Sequence, residues 1–211
     1  MSGLGLGLGL GLGSHRKVDR YGNMPATFTI PAGFANDGTK RINFSEPVTV
    51  TMTGGVTLSI GSTVYNSGDT IPVASSYHTL TINNPGEDAG TITFGKRKQI
   101  TYLYLRDLGS SVITGDITGM ELTYLHLYSL GSSVITGDIT GMGLTYVYLY
   151  APGSSAITGD ITGMKLTYLY LYNLGSSVIT GDITGMELTT LYLREIGSSL
   201  TYGTNPLNIT S

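Results

Sequence analysis

From Ile100 onward the apolar positions keep two rhythms at once. Leucines alternate with outward-facing residues at the two-residue period of a half-buried strand, and the whole pattern then returns every 22 residues. Copies begin at Ile100, Leu122, Leu144, Leu166 and Leu188, and the best formed is LTYLYLYNLGSSVITGDITGMK, residues 166–187. In that copy Leu166, Leu169 and Leu171 share one face, while Val178, Ile179, Ile183 and Met186 are expected to close the opposite wall. One coil cannot bury both walls, but stacked coils share a continuous core. The pattern predicts a five-coil solenoid with a parallel sheet over 99–211, ending in a C-terminal cap.

Residues 23–98 follow a different pattern of short β-branched stretches: ATFTI (26–30), PVTVTM (47–52), VTLSI (56–60), TVY (63–65), HTLTI (78–82) and TITF (91–94). Turn signals such as Pro31-Ala32-Gly33, Gly54-Gly55 and Asn84-Pro85-Gly86 separate them, and no helical period appears. A small β-sandwich is predicted here, so the fold class is mainly β. Residues 1–22 are different again. Gly3 to Gly13 alternate glycine and leucine, which in an extended chain places Leu4, Leu6, Leu8, Leu10 and Leu12 on one face. Glycine loses the most backbone entropy on ordering, so this segment is expected to become a docking strand only against a partner. Arg16, Lys17 and Arg20 follow it as a basic hinge.

Composition narrows the functional classes. The 211 residues include 31 glycines and 15 tyrosines, no cysteine and no tryptophan, and only 12% are charged. Without cysteine there is no disulfide framework, thiolate zinc site or thiol nucleophile. A net charge of -3 gives no basic footprint for nucleic acid. The Gly-Leu run is too short for a membrane span, and its basic residues follow the apolar stretch where a secretory signal places them first. Its glycines are all odd-numbered, which excludes both the G-x-G-x-x-G and the P-loop spacing. No membrane insertion and no cofactor are expected.

Equivalent residues of stacked coils form columns about 4.8 Å apart. The third, fifth and seventh positions of each copy face outward. They read Tyr102, Tyr124, Tyr146, Tyr168 and Thr190; then Tyr104, His126, Tyr148, Tyr170 and Tyr192; then Arg106, Tyr128, Tyr150, Tyr172 and Arg194. Tyrosine offers a flat apolar ring, a hydroxyl that donates and accepts, and few torsions to freeze, so the face is a candidate recognition surface. The expected partners are sugar rings lying on the tyrosines or a protein surface. Against this stands the plain alternative that tyrosine is a good strand former whose cross-strand ladders stabilise a sheet. Asp116, Asp138, Asp160 and Asp182 form an acidic column. Backbone N–H groups could cap it, or a cation such as calcium could sit among the carboxylates. Four equivalent acids lack the asymmetry that separates a glycosidase acid from its nucleophile. His15, His78 and His126 lie in different regions and no H-E-x-x-H or G-x-S-x-G motif occurs, so no enzyme is expected.

The 22-residue period with L-x-x-L-x-L resembles the leucine-rich repeat solenoids, and I-T-G-D-I is similar to the L-x-G-x-I segment of the subclass with a second short strand on the return. The family's asparagine at the strand end has no consistent counterpart, because the equivalent places begin with Asp107, Ser129, Ala151 and Asn173. The glycines and serine pairs that follow are expected to hold the turn. The order of docking strand, hinge, β-domain and tyrosine-faced solenoid resembles a bacteriophage fibre or adhesin. That resemblance implies a virion protein, a homo-oligomer joined to other virion proteins by its N-terminus and recognising a host-surface glycan or protein. The alternatives are a bacterial surface or secreted leucine-rich repeat interaction protein, or a structural virion decoration protein.

Overall fold

A computed structural model describes residues 21–197 and 200–201. The Leu4, Leu6, Leu8, Leu10 and Leu12 docking segment, the basic hinge and the chain after Thr201 lie outside the described residues. In chain order the strands are β1 (Pro25–Ile30), β2 (Phe34–Ala35), β3 (Thr39–Phe44), β4 (Val48–Met52), β5 (Thr57–Ile60), β6 (Thr63–Tyr65), β7 (Thr70–Ile71), β8 (His78–Asn84) and β9 (Gly90–Lys96). A 3-10 turn, Arg97–Gln99, leads to β10 (Ile100–Arg106) and β11 (Thr114–Asp116), then to β12 (Tyr124–Tyr128), β13 (Val134–Asp138), β14 (Tyr146–Tyr150) and β15 (Ala156–Asp160). The last are β16 (Tyr168–Tyr172), β17 (Val178–Asp182), β18 (Thr190–Arg194) and β19 (Leu200–Thr201).

These strands form two facing sheets. One is ordered β19-β17-β15-β13-β11-β1-β9-β4-β7 and the other β18-β16-β14-β12-β10-β3-β8-β5-β6, with β2 beside β8. The first nine strands make an antiparallel sandwich. From β10 onward the pairing between coils is parallel, giving a β-solenoid of about four turns with the expected period and five strands on each wall. Both sheets pass from one region into the other. β3 pairs antiparallel with β10, setting Ile42 opposite Leu103, and β1 pairs antiparallel with β11, setting Phe28 opposite Gly115. One apolar core therefore runs from Phe28, Ile42 and Phe94 through Leu103 and Ile113 to Leu191 and Leu193.

Strands β2, β3 and β7 were not apparent in the sequence. β3 reads TKRINF and buries Lys40, Ile42 and Phe44 in alternation, so a lysine stands where the strand pattern calls for an apolar residue. The Lys40 ammonium donates to the carbonyls of Asp37 (2.6 Å) and Gly38 (3.4 Å) and lies 5.2 Å from the Phe34 ring centroid. Burial lowers its pKa to about 8, against the opposing pull of Asp37.

The two walls are paired differently. The tyrosine wall matches residues 22 apart, such as Tyr124 with Tyr146, whereas the return wall matches residues 20 apart, such as Gly137 with Ile157. That stagger brings each coil's Gly-Asp step close over the preceding Ile-Thr. A Cβ on Gly137, whose φ is +152°, would stand 2.5 Å from Ile117 Cγ1, so this repeated position admits only glycine. The expectation that the Val-Ile pair would jointly close the wall is corrected: Ile179 is fully buried but Val178 is 47% exposed. Neighbouring strand residues face opposite sides, so only one of the pair can point inward.

The turn after each tyrosine strand begins with a left-handed residue: Asp107, Ser129, Ala151, Asn173 and Glu195 all have φ between 42° and 54°. This conformation costs a non-glycine residue roughly 1–2 kcal/mol, least for asparagine and aspartate. Five different side chains adopt it because the coil imposes it. The backbone N–H of Asp107, Ser129 and Ala151 each donates to the carbonyl ending the next tyrosine strand, at 3.0, 2.9 and 2.9 Å. Behind the turn, Ser133, Ser155 and Ser177 are buried, and each ties its coil to the preceding one. Ser155 Oγ accepts from the Ile135 N–H (3.0 Å) and donates to the Ser133 carbonyl (3.3 Å), and Ser133 and Ser177 repeat the arrangement. Replacing Ser155 by alanine leaves the buried Ile135 N–H without a partner and is expected to cost about 1–3 kcal/mol. Urea denaturation of the wild type and Ser155→Ala measures it; a difference within error would show that the serine ladder is incidental.

Candidate functional site: the tyrosine wall

Alternate residues of β10, β12, β14, β16 and β18 turn outward, and their parallel register stacks equivalent rings directly over one another. In the first column Tyr102, Tyr124, Tyr146 and Tyr168 stack with centroids 4.2, 4.1 and 4.3 Å apart, within 14° of parallel. In the second, Tyr104, His126, Tyr148, Tyr170 and Tyr192 follow at 4.2, 4.3, 4.4 and 4.3 Å. In the third, Tyr128, Tyr150 and Tyr172 follow at 4.6 and 4.7 Å, with Arg106 over Tyr128 at 4.8 Å and Arg194 over Tyr172 at 5.5 Å. Every residue expected at this face is on it. The face is about 20 Å long across five strands.

Two residues from the sandwich extend the face, and sequence reading missed both. Tyr77 stacks on Tyr102 at 5.4 Å, and Arg41 lies over Tyr77 at 4.6 Å and over Tyr104 at 4.9 Å. Arg41 sits on β3, outward next to the inward Lys40. Recognising TKRINF as a strand would have exposed it, but nothing local marks Tyr77.

The stacking changes what the face can offer. Inside each column both faces of a ring are covered by neighbours, so a partner meets ring edges and hydroxyls. The expectation that sugar rings lie flat on the tyrosines is therefore corrected for the interior of the array. Burial raises the pKa of Tyr124 and Tyr148 well above the usual phenol range, and neighbouring tyrosines add to this. Tyr146 is pushed up to about 12 by the same burial, with contributions from Tyr168 and Tyr102. These three rings thus stay neutral phenols. His126 continues the second column as a neutral ring: burial lowers its pKa to about 4, and Arg106 and Arg41 lower it further. Neither of its ring nitrogens has a hydrogen-bond partner. Its role in the column is ring stacking.

On the return wall the acidic column is capped. Asp116, Asp138 and Asp160 each accept from the backbone N–H two residues on, at 2.9, 2.9 and 2.8 Å, and Asp182 does so from Thr184 at 2.8 Å. The hydroxyl of the threonine in that turn accepts from the aspartate N–H of the next coil, as Thr140 does from Asp160 at 3.0 Å. Asp116 also receives the Arg97 guanidinium at 2.7 Å. Burial raises the Asp116 pKa, but the Thr118 hydrogen bonds and Arg97 outweigh it and the net shift is downward. Thr162 and Thr184 hydrogen bonds likewise lower Asp160 and Asp182. Among the described residues no three His, Asp or Glu side chains gather as metal ligands.

The fold and the wall define a two-sheeted parallel β-solenoid repeat protein with a stacked-tyrosine face. No family model, no curated protein and no solved structure matches the chain.

A phenol whose folded pKa is raised stabilises the fold fully below the unfolded pKa, and that stability is lost as pH rises through the folded value. The melting temperature is expected to fall as pH climbs from 10 towards 12, with the phenolate absorbance of Tyr124, Tyr146 and Tyr148 developing above the ordinary phenol range. A single phase centred at the ordinary tyrosine value would contradict the buried, coupled wall.

Proposed function

We propose that this chain is a virion-attached fibre or adhesin-type protein whose tyrosine wall recognises a host-cell surface, glycan or protein. The observation that carries this reading is the wall itself: eleven of the chain's 15 tyrosines lie on the solenoid's outer sheet face, Tyr77 extends it, and Arg41, Arg106 and Arg194 border it. Rows of phenol hydroxyls at the strand pitch donate and accept hydrogen bonds while the ring edges supply apolar area. The rings are already immobilised by stacking, so binding freezes little side-chain freedom. Each contact is modest, and several copies on one particle multiply them through avidity. The Gly-Leu segment supports attachment by strand addition to a partner's sheet. The 22-residue period and L-x-x-L-x-L pattern support kinship with the leucine-rich repeat solenoids.

One observation favours a second reading, a structural decoration protein of the virion: the stacked rings are themselves a stabilising ladder, each pair contributing about 0.5–1.5 kcal/mol beyond the area it buries. Tyrosine-to-phenylalanine substitution separates the two readings, because it keeps the stack and removes the hydroxyl. Tyr148→Phe, Tyr150→Phe and Tyr170→Phe together should weaken adsorption of the particle to its host cell while leaving the melting temperature within a few degrees. Unchanged adsorption would favour the decoration protein. Deleting residues 3–13 should prevent incorporation into the particle, and normal incorporation would remove the docking role.

A further inference from the structure

The three columns begin and end differently. At the first row Arg41 covers Tyr77 and Tyr104, Tyr77 covers Tyr102, and Arg106 covers Tyr128. At the last row Tyr192 covers Tyr170 and Arg194 covers Tyr172. The first column alone stops short. Its last position is Thr190, paired with Tyr168 across β16 and β18, and a threonine side chain cannot reach over the ring. Tyr168 stacks on Tyr146 at 4.3 Å, and its other ring face has no ring against it among the described residues. The result is a step one ring wide, with the Tyr168 face as its wall and Thr190 as its floor. Tyr192, two residues on along the same strand, lies to one side.

We propose that this step is a subsite for one neutral pyranose ring of a host glycan. The inference rests on reading the tyrosine wall as a recognition face, and it names a place there, walled by Tyr168 and flanked by Tyr192, where a ring can stack. A pyranose presents an apolar C–H face to Tyr168 and a rim of hydroxyls to its surroundings. The Thr190 hydroxyl, which has no hydrogen-bond partner among the described residues, can bond that rim. The Tyr192 hydroxyl already accepts from Arg194, which leaves its own O–H to donate to the sugar. A purely apolar ring in the same place would bury the Thr190 hydroxyl without a partner, which is costly. The nearby cation is committed, since Arg194 engages Tyr192, Tyr172 and, at 3.3 Å, Glu195. Nothing in the step calls for an anionic sugar, and the region after residue 98 is acidic, with eight acidic and three basic side chains.

The test is saturation-transfer and chemical-shift NMR on the full chain with four neutral probes: cellohexaose, maltohexaose, chitohexaose and mannohexaose. Wild-type protein should bind at least one of them, with shifts centred on Tyr168, Thr190 and Tyr192. Thr190→Tyr continues the column into the step. It should lower affinity by roughly tenfold or more, while the melting temperature stays level or rises. Tyr168→Thr moves the bare ring face back to Tyr146, and the perturbed residues should move back one coil with it. Absence of binding by all four probes overturns the proposal, as does a Thr190→Tyr variant that binds like wild type. If Thr190→Tyr loses the sugar while the triple phenylalanine variant still adsorbs normally, the step stands and the broader wall reading falls. If Thr190→Tyr binds unchanged and the triple variant loses adsorption, the step falls and the wall reading stands.

Discussion

On the tyrosine wall, in-register parallel pairing of near-identical coils forces each side chain to lie one strand spacing, about 4.8 Å, from its counterpart in the next coil. A repeated residue must therefore be compatible with itself. Tyrosine is, because flat rings at that spacing stack face to face, and the wall's centroids fall between 4.1 and 4.7 Å. Serine is, because its hydroxyl can both accept from and donate to the backbone of the preceding coil, as Ser133, Ser155 and Ser177 do inside the core. Aspartate does not meet itself, because the two-residue stagger of the return wall sets Asp138 opposite Thr158 and Asp160 opposite Thr180. Each aspartate is instead held by the N–H groups of its own turn, and the first by Arg97. The same constraint that builds the fold thus sorts residues into the columns that give the two walls their chemistry.

A parallel solenoid has an open first coil that needs covering, because its apolar core and strand edges would otherwise face water. Here the sandwich supplies the cover. Strands β1 and β3 reverse direction against β11 and β10, so neither wall ends in a bare edge on that side. The junction also carries charge. Arg97 meets the first aspartate of the acidic column, and Arg41 closes two columns of the tyrosine wall. Both residues act on solenoid columns from outside the repeat. The recognition face accordingly begins in the sandwich, at Tyr77 and Arg41.

Much of this was legible in the chain. The period, the inward leucines and the membership of the three outward columns follow from spacing alone, because a two-residue alternation inside a 22-residue repeat leaves no other arrangement. The aspartate turns were foreseeable too, since aspartate bonds the backbone N–H two residues on. Other features were hidden. β3 escaped notice because Lys40 takes an inward position, its ammonium satisfied by carbonyls distant from any strand signal. The outward turn of Val178 was obscured because an adjacent pair of β-branched residues reads equally well from either face.

The sequence by itself determined the repeat, and with it the composition of every column, because periodicity is a property of the chain that any stacked arrangement must express. Only the tertiary structure decided the stagger of the return wall, the left-handed turns at Asp107, Ser129 and Ala151, and the joining of both sheets to the sandwich. It also decided how the tyrosines are spent. Alternation says that a ring faces outward; the distance between strands decides whether its flat face is free. Along the columns the next ring covers it, and where Thr190 replaces a tyrosine the outer face of Tyr168 has no ring against it among the described residues. The difference is physical: column membership is set along the chain, while ring separation is set across hydrogen bonds between segments 22 residues apart.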